Sequence, residues 1–280
     1  MELVVHIGYP KTGSTWLQQQ VFPRLSLPYG NADPRLRAAM TRLILDDAFD
    51  PADVRLKPPV LFSDEAICGD MFADVSHGFR SAERLHAVAP NARVLVLVRR
   101  QPDMVRSLYA QYVNMGGIGS LDDFLAGRAA GCLFTHQHLE YDRLVTHYAE
   151  LFGRERVLVA PYERLRADPL DFVRRLCGEL ELDVPDVRVT WPNRSLSPAG
   201  QAALRGWNRA FRASRFNPRP LVALPGGRAV RNVLQRHIDP LLRRLSAKTE
   251  PTDGARYQES SARLQEFCED DLAGWGYALP

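Results

Sequence analysis

Long apolar stretches and paired cysteines are lacking in this chain of 280 residues. No window approaches about 18 apolar residues, so we expect no membrane-spanning helix. The N-terminal residues show neither the basic region nor the small-residue cleavage site of a signal peptide, which predicts a cytoplasmic protein. The cysteines form no CxxC pair, and we expect isolated thiols in a reducing compartment rather than a disulfide or a metal site; they are Cys68, Cys132, Cys177 and Cys268.

Lysine is also scarce, because only Lys11, Lys57 and Lys248 occur among 36 basic residues. A lysine kept where arginine is the default indicates a position that needs a compact ammonium. The net charge of +3 does not indicate nucleic-acid binding, and we expect no nucleic-acid partner. Arginine is dense between Arg205 and Arg244, a pattern that favours solvated helix faces over an anion-binding surface.

Short apolar runs alternate with segments of helical spacing in the first two thirds of the chain. The runs predict strands at 2–7, 59–62, 92–98 and 156–160, and the run ARVLVLV at 92–98 is apolar on both faces, as in a parallel sheet. Helical spacing covers 14–22, 101–113, 169–182, 197–212, 229–245 and 255–273. The pattern predicts an α/β protein with three α/β/α layers, a central, mostly parallel sheet and a helical C-terminal third.

We expect one domain over 1–280, with a core at 1–182 that carries the functional site. The helical remainder, 183–280, is expected to pack on that core.

A glycine loop follows the first predicted strand, in the sequence HIGYPKTGSTWL that starts at His6. A strand, a tight turn and a helix start favour phosphate binding, because the first N–H groups of the helix are unpaired and meet the positive end of its dipole. Gly8 and Gly13 have the spacing of a nucleotide triphosphatase loop, but Lys11 precedes the second glycine and Ser14 occupies the usual lysine position. This displacement counts against ATP or GTP hydrolysis.

The loop instead resembles the 5′-phosphosulfate-binding loop of sulfotransferases that use 3′-phosphoadenosine-5′-phosphosulfate (PAPS). The resemblance implies a P-loop-like fold of the bacterial sulfotransferase type, PAPS as the sulfuryl donor and no required metal. The residues that it implies in donor binding are Pro10, Lys11, Thr12, Gly13, Ser14, Thr15 and Trp16. Trp16 has two open interpretations, a contact near the adenine or a core anchor for the first helix.

A second motif follows the ARVLVLV strand. Arg99 and Ser107 are eight residues apart, the spacing of the arginine and serine that bind the 3′-phosphate of PAPS in sulfotransferases. A guanidinium and a hydroxyl suit a terminal phosphate. The position of the family's proline relative to that arginine would select Arg100 instead, so Arg100 stays as the alternative.

Later segments carry weaker likeness to the same family. Residues 162–169 resemble its YExL…DP segment, and 193–197 resemble a polar segment of bacterial members. The Arg-Lys-Gly loop typical of animal cytosolic members is missing after Leu182. The resemblance therefore leaves open what covers the 3′-phosphate.

The acceptor hydroxyl needs a base, and sulfotransferases use a histidine or a glutamate. Glu65 follows the second predicted strand, near the loop, and is the predicted base, provided that burial raises its pKa toward neutrality. The alternative is that Asp64 or Glu65 only caps the next helix. His136 or His138 is a further candidate for the lining of the acceptor pocket.

The sequence does not identify the acceptor. The resemblance implies a hydroxyl or amine of a small molecule or glycan, with carbohydrates and lipids as candidates, and the arginine-rich C-terminal third leaves a peripheral membrane contact open. Oligomeric state is not indicated. Two other functions remain: a P-loop kinase of nucleosides or small molecules, and a nucleotide-binding protein that has lost catalysis.

Overall fold

A computed structural model describes residues 3–54, 59–189, 196–224, 227–245 and 254–280. Its described strands form one parallel sheet in the order β2-β1-β3-β4. The strands are β1 (Leu3–His6), β2 (Val60–Ser63), β3 (Arg93–Val98) and β4 (Val157–Pro161). The predicted parallel sheet is confirmed, and all four predicted strands lie within two residues of their expected positions.

Helices cover both faces of this sheet. The α-helices are α1 (Ser14–Trp16), α2 (Pro34–Leu45), α3 (Ser76–Val88), α4 (Gln101–Asn114), α5 (Leu121–Leu125), α6 (Tyr141–Phe152), α7 (Tyr162–Ala167), α8 (Pro169–Leu180), α9 (Pro198–Phe211), α10 (Gly227–Val233), α11 (Asp239–Leu245) and α12 (Gln258–Gln265). π-helical turns follow α1 at Leu17–Val21 and α10 at Leu234–Ile238, and a 3₁₀ turn at Glu65–Cys68 follows β2.

Successive residues of each strand point to opposite faces, and both faces are buried. Val5 and Val96 lie in a large apolar core with residues of α2, α3, α4 and α6. Val4 and Leu97 lie in a second core, with Trp16 and residues of α8. This arrangement gives the three predicted α/β/α layers.

The described elements after Leu182 are helical, as predicted. Asn208 of α9 donates to the carbonyl oxygens of Val113 and Gly117 at 2.7 and 3.1 Å, which fixes α9 on the end of α4. Asp239 accepts from the backbone N–H and the hydroxyl of Ser197, which joins the start of α11 to the start of α9. Among the described residues, no helix is both long and apolar enough to cross a bilayer.

One helix is shorter than predicted. The spacing at 255–273 predicts a single long helix, but α12 ends at Gln265. The Gln265 side chain donates to the carbonyl oxygens of Cys268 and Asp270 and accepts from the N–H of Leu272, so it satisfies the backbone of a compact turn instead. A side-chain amide that serves three backbone groups ends the helix where apolar spacing alone would continue it.

Candidate functional site

The glycine loop lies at the carboxyl edge of the sheet, where parallel α/β proteins place their ligands. Beyond β1, the N–H groups of Ile7 and Tyr9 donate to the carbonyl oxygens of Leu95 and Leu97 at 3.0 Å, so the chain stays paired with β3 up to the turn. Lys11 then adopts a positive φ of 70°. The turn therefore reverses the chain within a few residues and delivers it into α1.

Gly13 is the residue that the turn requires. Its φ is +88°, and a Cβ at this position would lie 2.7 Å from Cδ2 of Leu165 and 3.3 Å from Cε2 of Tyr162. Both the backbone conformation and the close approach of α7 therefore demand a residue without a side chain.

Gly13→Ala is expected to lower the free energy of unfolding by about 1–2 kcal/mol from the left-handed backbone alone, with a further loss from displacing Leu165. Gly178→Ala is the matched control, because a Cβ there meets nothing within 4 Å. In helix α8 that change is expected to stabilise the protein by roughly 0.5–1 kcal/mol. Urea denaturation measures both, and equal shifts of the same sign would contradict this account of the turn.

His6 supports the loop from inside the sheet. It is fully buried, its Nδ1 lies 2.8 Å from Oγ of Ser63, and burial lowers its pKa to about 3. Gln18 donates to the same Ser63 oxygen at 3.0 Å. The imidazole is therefore neutral at physiological pH and ties the end of β1 to the end of β2.

Lys11 and Glu65 lie close enough at the glycine loop for each charge to shift the pKa of the other. Part of the Lys11 side chain is exposed, yet the protein around its ammonium desolvates it and lowers its pKa, an effect that the charge of Glu65 opposes. Burial raises the pKa of Glu65, and the neighbouring Asp64 charge raises it further, whereas Ser14 and Lys11 lower it. The Asp64 carboxylate caps the following 3₁₀ turn through the N–H of Ala66, which leaves the Glu65 carboxyl free of that task.

Arg99 reaches the same loop from the end of β3. Its guanidinium donates to the carbonyl oxygen of Lys11 at 3.1 Å and lies 5.0 Å from the ring centroid of Tyr162. Its Nε is buried and has no hydrogen-bond partner among the described residues. Arg99 thus keeps a donor available beside the loop.

Arg100 points elsewhere. Its Nε donates to Asp103 at 2.7 Å, and its guanidinium lies against the position of Gly276 near the C-terminus. The backbone N–H of Arg100 donates to Glu163, whose other oxygen accepts from the hydroxyl of Tyr277. Of the two arginines that the sequence left open, only Arg99 contacts the glycine loop.

Ser107 is half-buried on α4. No hydrogen bond between described residues joins its side chain to Arg99, and its part in a phosphate clamp stays a prediction.

The other predicted loop residues differ in burial. Thr12 is buried and its hydroxyl donates to the carbonyl oxygen of Tyr9, while Thr15 is exposed and Pro10 is half-buried. Ser14 is buried, and its hydroxyl lies beside the Glu65 carboxyl, whose pKa it lowers.

Trp16 is buried in the second core, and its indole N–H donates to the carbonyl oxygen of Arg188 at 3.0 Å. This packing favours the core-anchor interpretation over a contact near the adenine.

The two histidines proposed for the acceptor pocket have partners within the protein. His136 Nδ1 lies 2.6 Å from the hydroxyl of Tyr257, and His138 Nε2 lies 3.1 Å from the carbonyl oxygen of Ala73. His138 lines a cavity of about 10 Å³, enough for one water and too small for an acceptor. A role for either ring in an acceptor pocket stays a prediction.

Sequence reasoning missed Arg231, on α10. Its charge lies close enough to Lys11 to lower the lysine pKa, and its buried Nε has no hydrogen-bond partner among the described residues. In the sequence it is one of many arginines after Arg205, and no motif distinguishes it. Within the polar segment at 193–197, residues 193–195 lie outside the described residues.

Comparisons with known proteins point to one family. The profile described as "Sulfotransferase family" matches residues 71–186, a segment that does not include the glycine loop. No curated protein sequence matches the chain. The resemblance inferred from the loop is therefore confirmed by an independent part of the chain.

Solved structures of similar shape include a sulfotransferase from Alicyclobacillus acidocaldarius, with 18% identity over 97% of both chains and a TM-score of 0.51. The sulfotransferase domain from the curacin biosynthetic pathway has 13% identity over 100% of this chain and 98% of that one, with a TM-score of 0.39. Mouse sulfotransferase SULT7A1, complexed with PAP, has 16% identity over 66% of this chain and 60% of that one, with a TM-score of 0.36. The likeness to the Alicyclobacillus protein shows a shared fold, and the family match supports sulfotransferase activity.

Proposed function

We propose that this protein transfers a sulfuryl group from PAPS to a hydroxyl or amine of a small-molecule, glycan or lipid acceptor. The observation that carries the proposal is that Glu65 and Arg99 both lie close enough to act on the charge of Lys11, at a glycine loop whose lysine precedes the second glycine. A base flanked by two cations suits transfer from a polyanionic donor.

The residues around the loop fit an anionic donor. Two buried donor atoms lack partners among the described residues: Nε of Arg99 and Nε of Arg231. Unpaired buried donors cost free energy, and a ligand with phosphate and sulfate oxygens would satisfy them. The N–H groups at the start of α1 would add further donors.

Each residue then has a distinct task. PAPS supplies an activated sulfuryl group on its 5′-phosphate. Glu65 takes the proton from the acceptor hydroxyl while the acceptor oxygen bonds to sulfur and the bond from sulfur to the bridging oxygen breaks. Lys11 donates to that bridging oxygen, on which negative charge develops. Arg99 binds the 3′-phosphate, and Arg231 adds positive charge near Lys11.

Incubation with radiolabelled PAPS and a crude extract of metabolites and glycans tests the proposal. We expect label to move from PAPS to an acceptor, with adenosine 3′,5′-bisphosphate (PAP) as the other product. Phosphoryl transfer from ATP in place of sulfuryl transfer would overturn the proposal.

Arg99→Ala is expected to weaken PAP binding by about ten- to a hundred-fold, because a charge-assisted contact contributes roughly 1.5–3 kcal/mol. Adenosine 5′-monophosphate (AMP) has no 3′-phosphate, so its affinity should barely change. Isothermal titration of both nucleotides measures the difference.

Arg100→Ala is the matched control for this prediction. Because Arg100 is engaged by Asp103, its loss is expected to leave the preference for PAP over AMP intact. If Arg100→Ala loses the preference for PAP and Arg99→Ala keeps it, Arg100 rather than Arg99 binds the 3′-phosphate. If both variants keep the preference for PAP, neither arginine binds the 3′-phosphate.

A kinase is the second candidate, and one observation favours it. Asp64 and Glu65 follow a strand next to β1, where a carboxylate could hold Mg²⁺ beside a bound nucleotide. Ser14 in the usual lysine position opposes it. A nucleotide-binding protein without catalysis is the third candidate, and turnover with any acceptor would exclude it.

A further inference from the structure

The charges of this chain are unevenly distributed. Residues 187–249 hold 13 of the 36 basic residues and one of the 33 acidic residues, whereas the rest of the chain holds 23 basic and 32 acidic residues. A nearly neutral protein therefore consists of a strongly basic segment and an acidic remainder. The basic segment, unlike the remainder taken as a whole, carries a net positive charge that can attract an anionic partner over a distance.

The single acidic residue does not neutralise this segment at its surface. Asp239 is buried and accepts from the backbone N–H and hydroxyl of Ser197 at 2.7 and 2.6 Å. Arg205 and Arg209 donate to the hydroxyl of Tyr109 and the carbonyl oxygen of Ile118, which are neutral groups. Their positive charges therefore remain uncompensated by these contacts.

Exposed apolar side chains are concentrated in the same segment. Among the described residues, six of the twelve exposed large apolar side chains fall within 21 residues: Leu221, Val222, Leu224, Val233, Ile238 and Leu241. Leu221 is 84% exposed and Leu241 is 63% exposed. Single exposed leucines are ordinary, but a concentration beside basic residues marks an interaction surface.

These side chains belong to one substructure. The N–H groups of Val222 and Leu224 donate to the carbonyl oxygens of Ala210 and Phe211, which fixes 221–224 on the end of α9. Helix α11 packs along α9. Along 233–241, Val233, Arg236 and Leu241 are exposed, while Leu234 of the same helical run is buried in the core.

We infer that this face, defined by residues 219–224 and 233–241 and called here the basic apolar face, docks the protein on an anionic lipid bilayer. The basic side chains match the lipid headgroups, and the apolar ones match the boundary with the acyl chains. A soluble polyanion would use Arg219 and Arg236 but would leave Leu221 and Leu241 in water. A bilayer would use both kinds of side chain.

Sedimentation of the full chain with vesicles tests the inference. We expect binding to phosphatidylcholine vesicles that contain phosphatidylserine, weaker binding as salt increases, and little binding to phosphatidylcholine alone. Arg219→Glu with Arg236→Glu should lower the partition coefficient by at least about 25-fold, since each arginine near an anionic surface contributes roughly fivefold. Leu221→Gln with Leu241→Gln should also reduce binding.

Matched controls lie on α2, on the acidic remainder of the chain. Arg35→Glu with Arg37→Glu, and Leu45→Gln, change exposed side chains of the same types and should leave vesicle binding intact. An unchanged midpoint of urea denaturation in every variant shows that the fold is preserved and makes the result independent of the proposed function. No binding to anionic vesicles at low salt, or equal losses in the controls, would overturn the inference.

Two other partners could bind the basic apolar face, a soluble polyanion or a second copy of the chain. Each predicts a result that would overturn the inference. A soluble polyanion predicts binding to heparin that the arginine variant loses and the leucine variant keeps, without vesicle binding. A second copy of the chain predicts a dimer in analytical ultracentrifugation that Leu221→Gln dissociates.

Discussion

Glu65→Gln is expected to lower turnover by about 10²–10⁴, the range for loss of a positioned general base. Burial raises the pKa of this carboxyl above its ordinary value, and the Asp64 charge adds to the rise. A base acts only when deprotonated, so wild-type turnover should fall as pH decreases through that raised pKa. The variant should lose this acid limb, and rate profiles measured with the acceptor from the labelling experiment reveal it.

Asp64→Asn is the matched control for the base. Asp64 is the neighbouring carboxyl, and burial raises its pKa too, but its oxygen accepts from the N–H of Ala66 at 2.9 Å. An asparagine oxygen can keep that cap, so most of the turnover and the acid limb should remain. If Asp64→Asn loses as much turnover as Glu65→Gln, Glu65 is not the base.

Lys11→Ala is expected to lower turnover by about 10²–10³, the loss seen when one donor to a developing anion is removed. Charge builds on the bridging oxygen as its bond to sulfur breaks, so the ammonium stabilises the transition state more than the bound donor. PAP affinity should therefore fall much less than turnover. Because burial lowers the pKa of Lys11, wild-type turnover should also fall at high pH, below the ordinary pKa of lysine.

Arg231→Gln distinguishes the direct contact of Lys11 with the bridging oxygen from the effect of nearby positive charge in general. It removes a positive charge that acts on Lys11 but leaves the ammonium itself, so turnover should fall less than in Lys11→Ala. An equal loss would mean that positive charge alone, rather than the Lys11 contact, accounts for the rate. Unchanged turnover in Lys11→Ala with weakened PAP binding would refute the assigned role.

The sequence could predict that the site residues lie close together, because their positions depend on glycine spacing and on the order of parallel strands. Glycine spacing places the loop after β1, and parallel strands bring their carboxyl ends to one edge, so Lys11, Glu65 and Arg99 follow from their positions after β1, β2 and β3. The sequence also offers a partial indication that Arg100, rather than Arg99, is held by another side chain. Asp103 lies three residues after Arg100, the spacing of a helical ion pair.

The rest depends on packing between segments distant in sequence. Arg231 approaches the loop only because the C-terminal helices pack on the core, and no local pattern distinguishes it from neighbouring arginines. Trp16 is buried because α8 and the chain near Arg188 cover it. The end of α12 is set by the hydrogen bonds of one side chain, Gln265, which apolar spacing does not reveal.

Nucleotide titration tests the central claim, use of a donor with a 3′-phosphate, most directly. Isothermal titration compares PAP, AMP and ADP with Mg²⁺ on the same wild-type protein. The account predicts that PAP binds without Mg²⁺ and at least about tenfold more tightly than AMP, because one charge-assisted contact to the 3′-phosphate contributes roughly 1.5–3 kcal/mol. Tighter binding of ADP with Mg²⁺, or equal affinity for PAP and AMP, would contradict it.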